Sequence, residues 1–408
     1  MMAREFKDSG IEWIGKIPKE WKTNKVNRLF RLIGSGTTPN SSDDDAYIGT
    51  INWLQSGDIN GSIITNANKR ISKETLAKYS ALSVYEAPFI VVAMYGASVG
   101  NISISHINAC VNQACCVMSE SKIHFSYAFY TIKSAQRYLI YRAVGGGQPN
   151  ISQNTLRQLS IPEPPLPEQQ RIADYLDKKC GEIDELIALQ DQMIAQLTDY
   201  KQSVITEAVT KGLNPDVELV PSGIDWIGDV PKEWKITRVK FYGTIRSGDG
   251  ISIEKIKDEG TYPVWGGNGL IGYAEKYNET KTSIVIGRVG ALCGNVRLLT
   301  SPTFVSDNAL IFRLSDKVDS KYMLWLLIGA DLNRLNTSNA QPLITGTKVK
   351  NVYIPLPPLS EQQSIASYLD TKCSEIDSLV AIKQQKIETL KDYKKSVIYE
   401  AVTGKITV

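Results

Sequence analysis

The chain repeats itself, and this repeat constrains its fold more than any other feature. Residues 9–22 (SGIEWIGKIPKEWK) return as residues 222–235 (SGIDWIGDVPKEWK), a shift of 213 positions. A second block, residues 161–212, returns as residues 354–405 with a shift of 193, and 33 of its 52 aligned positions are identical. Such identity indicates a tandem duplication, so we expect two units of one fold within the 408 residues.

The segments between the repeated blocks have diverged in sequence and in length. A short pair of similar segments, Gly96–Asn101 (GASVGN) and Gly290–Asn295 (GALCGN), is related by a shift of 194. We interpret the glycines of these segments as hairpin residues that need positive φ. The extra length of the first copy is therefore expected before residue 90, in the polar stretch that includes Asn40–Asp45. Repeated blocks that flank dissimilar central segments suit two variable recognition modules on one scaffold.

Each copy of the second block predicts one long helix. The block opens with a proline-rich segment, residues 161–167 and 354–359, which we interpret as a stop to regular structure because proline lacks an amide donor. The proline-free runs 168–210 and 361–403 follow, and each would form a helix of about 64 Å at about 1.5 Å per residue.

Both runs carry a seam of residues at alternating steps of four and three, which is the pattern of a coiled coil. The pattern leaves the helix direction open; we expect the two helices to pair antiparallel, with a polar layer at Gln190 and Lys383. The seam residues are Leu176, Cys180, Ile183, Ile187, Ile194, Leu197, Lys201, Val204 and Ala208 in the first run, and Leu369, Cys373, Ile376, Val380, Ile387, Leu390, Lys394, Val397 and Ala401 in the second.

The predicted fold class is α+β: two globular α/β domains related by duplication and separated by an antiparallel coiled coil. Short β-rich runs such as 89–93 and 283–286 alternate with Gly, Asn and Ser turns, and helical patterns follow at 127–144 and 320–335. The predicted segments are a first domain (1–160), a spacer helix (161–212), a linker with the second domain (213–353) and a second spacer helix (354–408).

Composition limits the classes of function. A net charge of +3 is low for a protein that binds nucleic acid unaided, so a partner is expected to supply much of the phosphate-contacting surface. The six cysteines form no C-x-x-C pair and only two histidines, His106 and His124, are present, so we expect no metal site. No secretory signal and no apolar run of membrane-spanning length is visible, so we expect a cytoplasmic protein.

The order of the motifs resembles that of specificity subunits of type I restriction-modification systems over essentially the whole chain. The motif Trp-Ile-Gly-x-[Ile/Val]-Pro-Lys-Glu-Trp opens each half at 13–21 and 226–234. Residues 37–39 with 51–59, and residues 262–273, resemble two versions of a target recognition domain. Residues 147–152 and 161–170 resemble the junction into a spacer helix, whereas the second junction, 340–345, keeps only Gln341-Pro342, and Ser360 replaces a proline.

The resemblance implies two target recognition domains, each reading one part of a split, asymmetric site on double-stranded DNA, with the helices setting the unread gap. It also implies assembly with two methyltransferase subunits and with restriction subunits. S-adenosylmethionine, ATP and magnesium would then bind those partners, and this chain would hold no cofactor and carry no catalytic step.

Signatures of catalysis are absent from the sequence itself. There is no phosphate-binding loop, and Asn214-Pro215 does not continue as the Asn-Pro-Pro-aromatic motif of an amino-methyltransferase. Residues 215–218 (PDVE) look like part of a nuclease motif, but no lysine occupies position 220. An autonomous nuclease would cleave DNA with metal as the purified chain alone, and we expect no such cleavage.

Side chains that reach base edges read the sequence, whereas phosphate contacts position the protein. Arg288 aligns with Met94 across the shift of 194, and an arginine there could bind guanine where methionine could not; a solvated charge at a strand end remains the alternative. The candidate DNA-binding residues are Ser35, Thr37, Thr38, Gln55, Ser56, Lys69, Arg70 and Tyr95 in the first domain and Arg246, Ser247, Trp265, Asn268 and Arg288 in the second.

A second class of function stays open at this point. Two ligand-binding globules held by a coiled coil could equally form a protein–protein adaptor, and the low net charge suits it. Binding of DNA by the assembled complex would separate the two hypotheses.

Overall fold

The chain forms two compact units in a computed structural model that describes residues 4–40, 42–143, 149–290, 292–336 and 342–408. The first unit comprises Met1–Leu189 with Lys386–Val408, and the second comprises Gln190–Gln385. Each long helix therefore contributes one part to each unit. The α+β class expected from the sequence is confirmed.

The first unit holds one mixed globule and the start of the first long helix. Its strands are β1 (Phe6–Asp8), β2 (Lys16–Pro18), β3 (Lys22–Lys25), β4 (Phe30–Gly34), β5 (Ile51–Leu54), β6 (Ile63–Ile64), β7 (Lys69–Ile71), β8 (Phe89–Ala93), β9 (Ile102–Ser105), β10 (Ala109–Val111), β11 (Cys115–Ser121) and β12 (Ser160–Glu163). Its helices are α1 (Val26–Leu29), α2 (Lys73–Lys78), α3 (Phe125–Ser134), α4 (Gln136–Tyr141), α5 (Gln153–Gln158) and the beginning of α6 (Leu166–Lys211).

The second unit repeats this order of elements. Its strands are β13 (Leu219–Pro221), β14 (Asp229–Pro231), β15 (Lys235–Arg238), β16 (Gly243–Ser247), β17 (Tyr262–Gly266), β18 (Gly269–Ala274), β19 (Ser283–Gly287), β20 (Val296–Leu299), β21 (Phe304–Val305), β22 (Ala309–Leu314) and β23 (Tyr353–Leu356). Its helices are α7 (Ser320–Gly329), α8 (Gly346–Lys350), the end of α6 and most of α9 (Leu359–Val402). Short 3₁₀ turns lie at Asp44–Tyr47 and Ser56–Asp58 in the first unit, and at Val239–Phe241, Ile253–Lys255 and Leu332–Leu335 in the second.

Both globules are built on the same two sheets. The larger sheet has the order β4-β11-β8-β9-β6 in the first unit and β16-β22-β19-β20 in the second. The smaller sheet has the order β10-β5-β7 and β21-β17-β18, in each case with one parallel pair, β10 with β5 and β21 with β17. The duplication predicted from the sequence is therefore present as a duplicated topology.

The central strand β8 (FIVVA) is buried at every position, because both faces of its sheet are covered. Ile90 and Val92 join the core beneath α3 and the long helices, whereas Phe89, Val91 and Ala93 join a separate core on the other face. Strand β19 divides its side chains in the same way. The period of two along a strand thus gives each globule two cores.

The extra length of the first copy lies before residue 90, as predicted, but not in the polar stretch around Asn40–Asp45. The connection from β4 to β5, which contains Asn40–Asp45, is only two residues longer than that from β16 to β17. The extra residues instead separate β5 from β7 and β7 from β8, where they form β6 and α2. Strand β6 adds an edge to the larger sheet by pairing in parallel with β9.

The first prolines of each repeated C-terminal block lie inside regular structure, which corrects the prediction of a stop. Pro162 belongs to β12 and Pro355 to β23, and each strand pairs only with β3 or β15. An edge strand tolerates proline because one side of its backbone needs no ladder bond. Pro167 lies in the first turn of α6, where the missing amide has no helical partner to lose.

The long helices pack together, and the ion pairs between them give their direction. Lys394 Nζ lies 2.6 Å from Asp184 Oδ2 in the first unit, and Lys201 Nζ lies 2.7 Å from Asp377 Oδ2 in the second. Because the earlier residue on each helix pairs with the later residue on the other, α6 and α9 run antiparallel, as predicted.

The predicted seam residues of both helices are all buried or half-buried in the structure. Leu176, Cys180 and Ile183 are almost inaccessible, and so are Leu369, Cys373 and Ile376. Gln190, placed by the sequence in a polar layer, is 3 % exposed, and its Oε1 has no hydrogen-bond partner within the described residues. Lys383 is half-buried.

The repeated tryptophans fasten each globule to its long helix. Trp21 Nε1 donates to Glu168 Oε2 at 2.9 Å, and Trp234 Nε1 donates to Glu361 Oε2 at 3.1 Å. Trp13 and Trp226 likewise donate to backbone carbonyls at the start of β12 and β23.

None of the described helices combines the length and the hydropathy that a membrane span requires.

Candidate nucleic-acid interface

A glycine turn occupies the same place in both globules. It follows β8 at Gly96–Asn101 in the first unit and β19 at Gly290–Asn295 in the second, where Ala291 lies outside the described residues. Gly96 and Gly290 have φ values of 86° and 85°, and the turn closes with a bond from Gly100 N to Ala93 O, matched by Gly294 N to Gly287 O, each 2.8 Å. The backbone is therefore conserved between the copies while the neighbouring side chains differ.

Met94 and Arg288 are structurally equivalent, as their alignment in sequence implied. Met94 N donates to Ala114 O at 2.7 Å and its carbonyl accepts from Ile151 N at 2.7 Å. Arg288 N donates to Asn308 O at 3.0 Å and its carbonyl accepts from Ile344 N at 2.9 Å. One backbone site therefore presents a buried thioether in the first unit and a guanidinium in the second.

The guanidinium of Arg288 retains unused hydrogen-bonding capacity. Its Nη1 donates to Ser247 Oγ at 3.2 Å, whereas its buried Nε has no hydrogen-bond partner in the described structure. A buried donor without an acceptor costs free energy, so an incoming acceptor at this place would be favoured. Arg288 is thus equipped to receive a ligand group.

Two other candidates of the second unit lie near this arginine. Ser247, at the end of β16, holds it directly, and the Asn268 side chain lies beside Gly290 in the neighbouring turn. Trp265 is half-buried, with the Arg297 guanidinium 5.9 Å from its ring centroid. Arg246 is occupied instead, because it donates to the carbonyls of Ser247 and Asn278.

Candidates of the first unit gather around a residue that the sequence reasoning missed, Gln113. Thr38 Oγ1 donates to Gln113 Oε1 at 2.5 Å, and Ser35 Oγ lies 3.5 Å from Gln113 O. Tyr95 also contacts the Gln113 side chain, and its pKa is raised chiefly by burial. The signal available was positional: Gln113 falls between two matched strands, where the second copy has Asp307.

The remaining candidates of the first unit divide into two places. Ser56 faces the glycine turn, since a Cβ added to Gly96 would lie 3.9 Å from its Oγ. Lys69 and Arg70 lie on β7, where Lys69 Nζ is 5.3 Å from the Tyr47 ring centroid and Arg70 donates to two asparagines. These two exposed cations make no hydrogen bond with the group around Gln113.

Two candidates have structural roles in local turns. Gln55 N donates to Asp58 Oδ2 at 2.8 Å, and this bond closes the 3₁₀ turn after β5. Thr37 offers its carbonyl to Trp53 Nε1 at 3.2 Å. The junction glutamines Gln148 and Gln341 lie outside the described residues.

The cysteines give no reactive site. All six are buried, and burial raises the pKa of Cys110 to about 11 and those of Cys115 and Cys116 to about 12. These thiols stay protonated at neutral pH and pack as small apolar groups. No group of three or more potential metal ligands occurs among the residues that the structure covers.

Comparisons with known proteins give a consistent result. The profile of the type I restriction modification DNA specificity domain matches residues 18–198 and 231–392. The specificity subunit of the type I restriction enzyme MjaVIII of Methanocaldococcus jannaschii is 24% identical and covers 96% of this chain and 94% of its own length. The EcoprrI specificity subunit of Escherichia coli is 22% identical over 88% of this chain and 90% of its own.

A solved structure shares the fold. It comes from a study of complex assembly and conformational transition in the type I R-M system. Its TM-score is 0.72 at 17% identity, and the match covers 96% of this chain and 99% of that one.

Proposed function

Because the chain belongs to the type I restriction modification DNA specificity family, we propose that it reads a split, asymmetric DNA site, one part with each unit. The observation that carries the proposal is the equivalence of Met94 and Arg288. Two copies of one scaffold offer different chemistry at the same backbone position, so they would prefer different base pairs. Two unlike half-sites make an asymmetric target.

In the second unit, Arg288 is the proposed base reader. A guanidinium can donate two hydrogen bonds to the O6 and N7 atoms of guanine, which is the most common specific contact in the major groove. Its unpartnered Nε and its loose bond to Ser247 leave donors for such a contact. Asn268, beside Gly290, would add an amide that can pair with adenine.

In the first unit, the group around Gln113 is the proposed reading surface. Its hydroxyls and amide offer both donors and acceptors without a fixed charge. Such neutral groups form weaker but discriminating bonds with base edges. Lys69 and Arg70, exposed on the smaller sheet, would contact phosphates instead.

Each unit also exposes an apolar patch that suits a partner helix. On α6, Leu186 and Leu189 are 45% and 43% exposed; on α9, the equivalent Leu379 and Ile382 are 47% and 63% exposed. These side chains lie off the seam that joins α6 to α9. We propose that each patch docks one methyltransferase subunit, which accounts for two such subunits per chain, with restriction subunits joining for cleavage.

The chemistry would then lie in the partners. Within this cytoplasmic complex, S-adenosylmethionine would bind the methyltransferase subunits, and ATP and magnesium would serve restriction. The specificity subunit itself supplies recognition and spacing, and the paired helices would set the unread gap between the half-sites.

The test is to produce the chain with its methyltransferase subunits and to sequence the methylated sites on genomic DNA. We expect one asymmetric motif in two parts with a fixed gap. Methyltransferase subunits without this chain are the control and should methylate no such motif. An uninterrupted motif would refute the split site, and a complex that binds no DNA would favour the protein–protein adaptor.

A further inference from the structure

The first unit contains a cavity that the proposed reading residues do not use. Its volume is about 1020 Å³, and it lies between α3 and α4, the loop at Gly61 and the C-terminal part of α9. Trp13, Tyr138 and Tyr399 contribute aromatic walls. The cavity is thus concave, partly apolar and lined by six separate segments of one unit.

Positive charge dominates its lining. Lys133, Arg137, Lys391, Lys394 and Lys395 line the cavity, against the carboxylates of Asp184 and Asp392. Lys394 is held by Asp184 at 2.6 Å, and Lys395 by Asp392 at 2.9 Å. Both side chains of the ion pair between Lys395 and Asp392 are exposed, so the pair contributes little to stability. An incoming anion could therefore replace the carboxylate of Asp392.

Two of the cations form no direct ion pair with a carboxylate among the described residues. Lys133 Nζ donates to Gly61 O at 2.9 Å and lies 5.1 Å from the Phe129 ring centroid. Burial, and next the charge of Lys394, lower the pKa of Lys133. Arg137 makes no direct side-chain hydrogen bond or ion pair within the described structure, and its charge, after that of Lys395, helps to lower the pKa of Asp392. The cavity therefore carries positive charge that its own carboxylates leave uncompensated.

The cavity shares a wall with the proposed reading surface. The wall is the glycine turn at Gly96–Asn101, which directly follows Tyr95 of the reading surface, and Gly96 faces Ser56. At its other end, Asn101 Nδ2 donates to Ile59 O at 3.0 Å, and Gln136 Nε2 lies 3.4 Å from Asn101 Oδ1. A molecule bound at the reading surface can thus continue across the turn into the cavity.

The second unit lacks this concentration of charge. Tyr127 and Tyr322 make the same bond to the carbonyls of Pro162 and Pro355, which aligns α3 with α7 and sets Ile328 at the place of Lys133. By the shift of 193, Thr198 and Gln202 of α6 correspond to Lys391 and Lys395 of α9. At the described positions that correspond, the second unit therefore lacks the basic lining of this cavity.

We propose that this cavity binds backbone phosphates of the DNA next to the first half-site. The inference rests on the proposed function, since it requires the first unit to lie on DNA. Phosphate is favoured as the occupant because several lysines and an arginine converge beside a surface proposed to face bases. The first half then anchors the complex through salt-sensitive contacts that the second half lacks at this place.

The test is the salt dependence of DNA binding by the complex with methyltransferase subunits. The logarithm of the association constant falls with the logarithm of salt concentration, with a slope of about −0.9 for each phosphate neutralised. Lys391→Gln with Lys395→Gln should make this slope less negative by about one for each lysine lost. Arg137→Gln, on a different element, should by itself make the slope less negative by about one.

Two controls keep the result specific. Lys179→Gln removes a lysine that forms the same kind of i,i+3 pair on α6 outside the cavity, and it should leave the slope unchanged. Lys395→Arg should retain the slope because it keeps the charge. Ethylation of phosphates beside the first half-site should weaken the wild-type complex and have less effect on the double variant.

The outcomes separate the two proposals. If the wild-type complex prefers its own site but none of the three cavity substitutions alters the slope, the cavity proposal is wrong and the proposed function stands. If the wild-type complex shows no sequence preference at all, the proposed function itself fails.

Discussion

At the residue scale, Arg288 and Met94 share one backbone environment and differ in what they offer to a ligand. Their amides and carbonyls make matching bonds in the two globules. Met94 is 7% exposed and completes a core, whereas the Nε of Arg288 is buried without a partner in the described structure. A protein tolerates such an unsatisfied donor most readily where a ligand satisfies it.

Replacing Arg288 by Ala should relax recognition at one base pair of the second half-site and leave the first half-site unchanged. A bidentate contact contributes about 1–3 kcal/mol of discrimination, so the preferred base there should lose roughly one to two orders of magnitude of preference. Arg288→Lys should lose most of this preference too, because an ammonium lacks the planar fork. Methylated-site sequencing of the variant complexes measures both.

The control for this experiment is Arg28→Ala, which removes an exposed arginine on α1. It should leave both half-sites intact. An Arg288→Ala complex whose methylation pattern matches the wild type at every position would contradict the assignment and favour a solvated strand-end charge.

At the element scale, two ion pairs as well as the seam favour the antiparallel direction of α6 and α9. Asp184 with Lys394 and Asp377 with Lys201 are related by the repeat and pair reciprocally. Lys394 is only 19% exposed, so its pair is screened less than an ordinary surface pair. Parallel helices could not form both bonds.

Asp184→Lys should lower the free energy of unfolding by roughly 1 kcal/mol, because it removes the pair and sets two ammonium groups side by side. Adding Lys394→Asp should recover much of that loss by restoring an opposite-charge pair. Thermal unfolding of the single and double variants measures the coupling. Asp199→Lys, at an exposed site on α6, is the control; a double variant less stable than both single variants would contradict the pairing.

At the scale of the whole molecule, duplication supplies two globules of one fold, which we propose as two readers, and the proposed role of the long helices is to hold them at a set spacing. The helices contain 46 and 44 residues, which correspond to about 69 and 66 Å at 1.5 Å per residue. Rigid spacing of two readers makes the unread gap a geometric quantity.

Removing one heptad from each helix, residues 190–196 and 383–389, should shorten the unread gap by about three base pairs. Seven residues rise about 10 Å, and one base pair rises about 3.4 Å. Both deletions keep the seam in register, since Leu197 takes the place of Gln190 and Leu390 that of Lys383, and both leave the exposed apolar patches on α6 and α9 in place. Methylated-site sequencing should return both half-sites with the new gap.

A deletion of four residues from each helix is the matched control. It breaks the alternation of four and three, exposes seam residues and should abolish the paired helices and hence assembly. If the heptad variant assembles and methylates with an unchanged gap, the helices do not set the spacing.

Features that depend on neighbours along the chain could be predicted from the sequence alone. The long helices follow from a seam that repeats within a few residues, and β8 was predicted at its observed bounds because five apolar residues form one buried strand. The duplication likewise needs no spatial information, since it is visible as sequence identity between two parts of the chain. Antiparallel pairing was the expectation that duplication and seam together favoured, and it is confirmed.

Only the tertiary structure decided which distant side chains meet. Gln113 lies among Thr38, Ser35 and Tyr95, and Lys69 and Arg70 lie apart from them, because strand order rather than chain order sets these distances. Pro162 sits in a strand because that strand is an edge. Lys133 faces Lys394 across more than half the chain, and no local pattern could predict a cavity built by such distant segments.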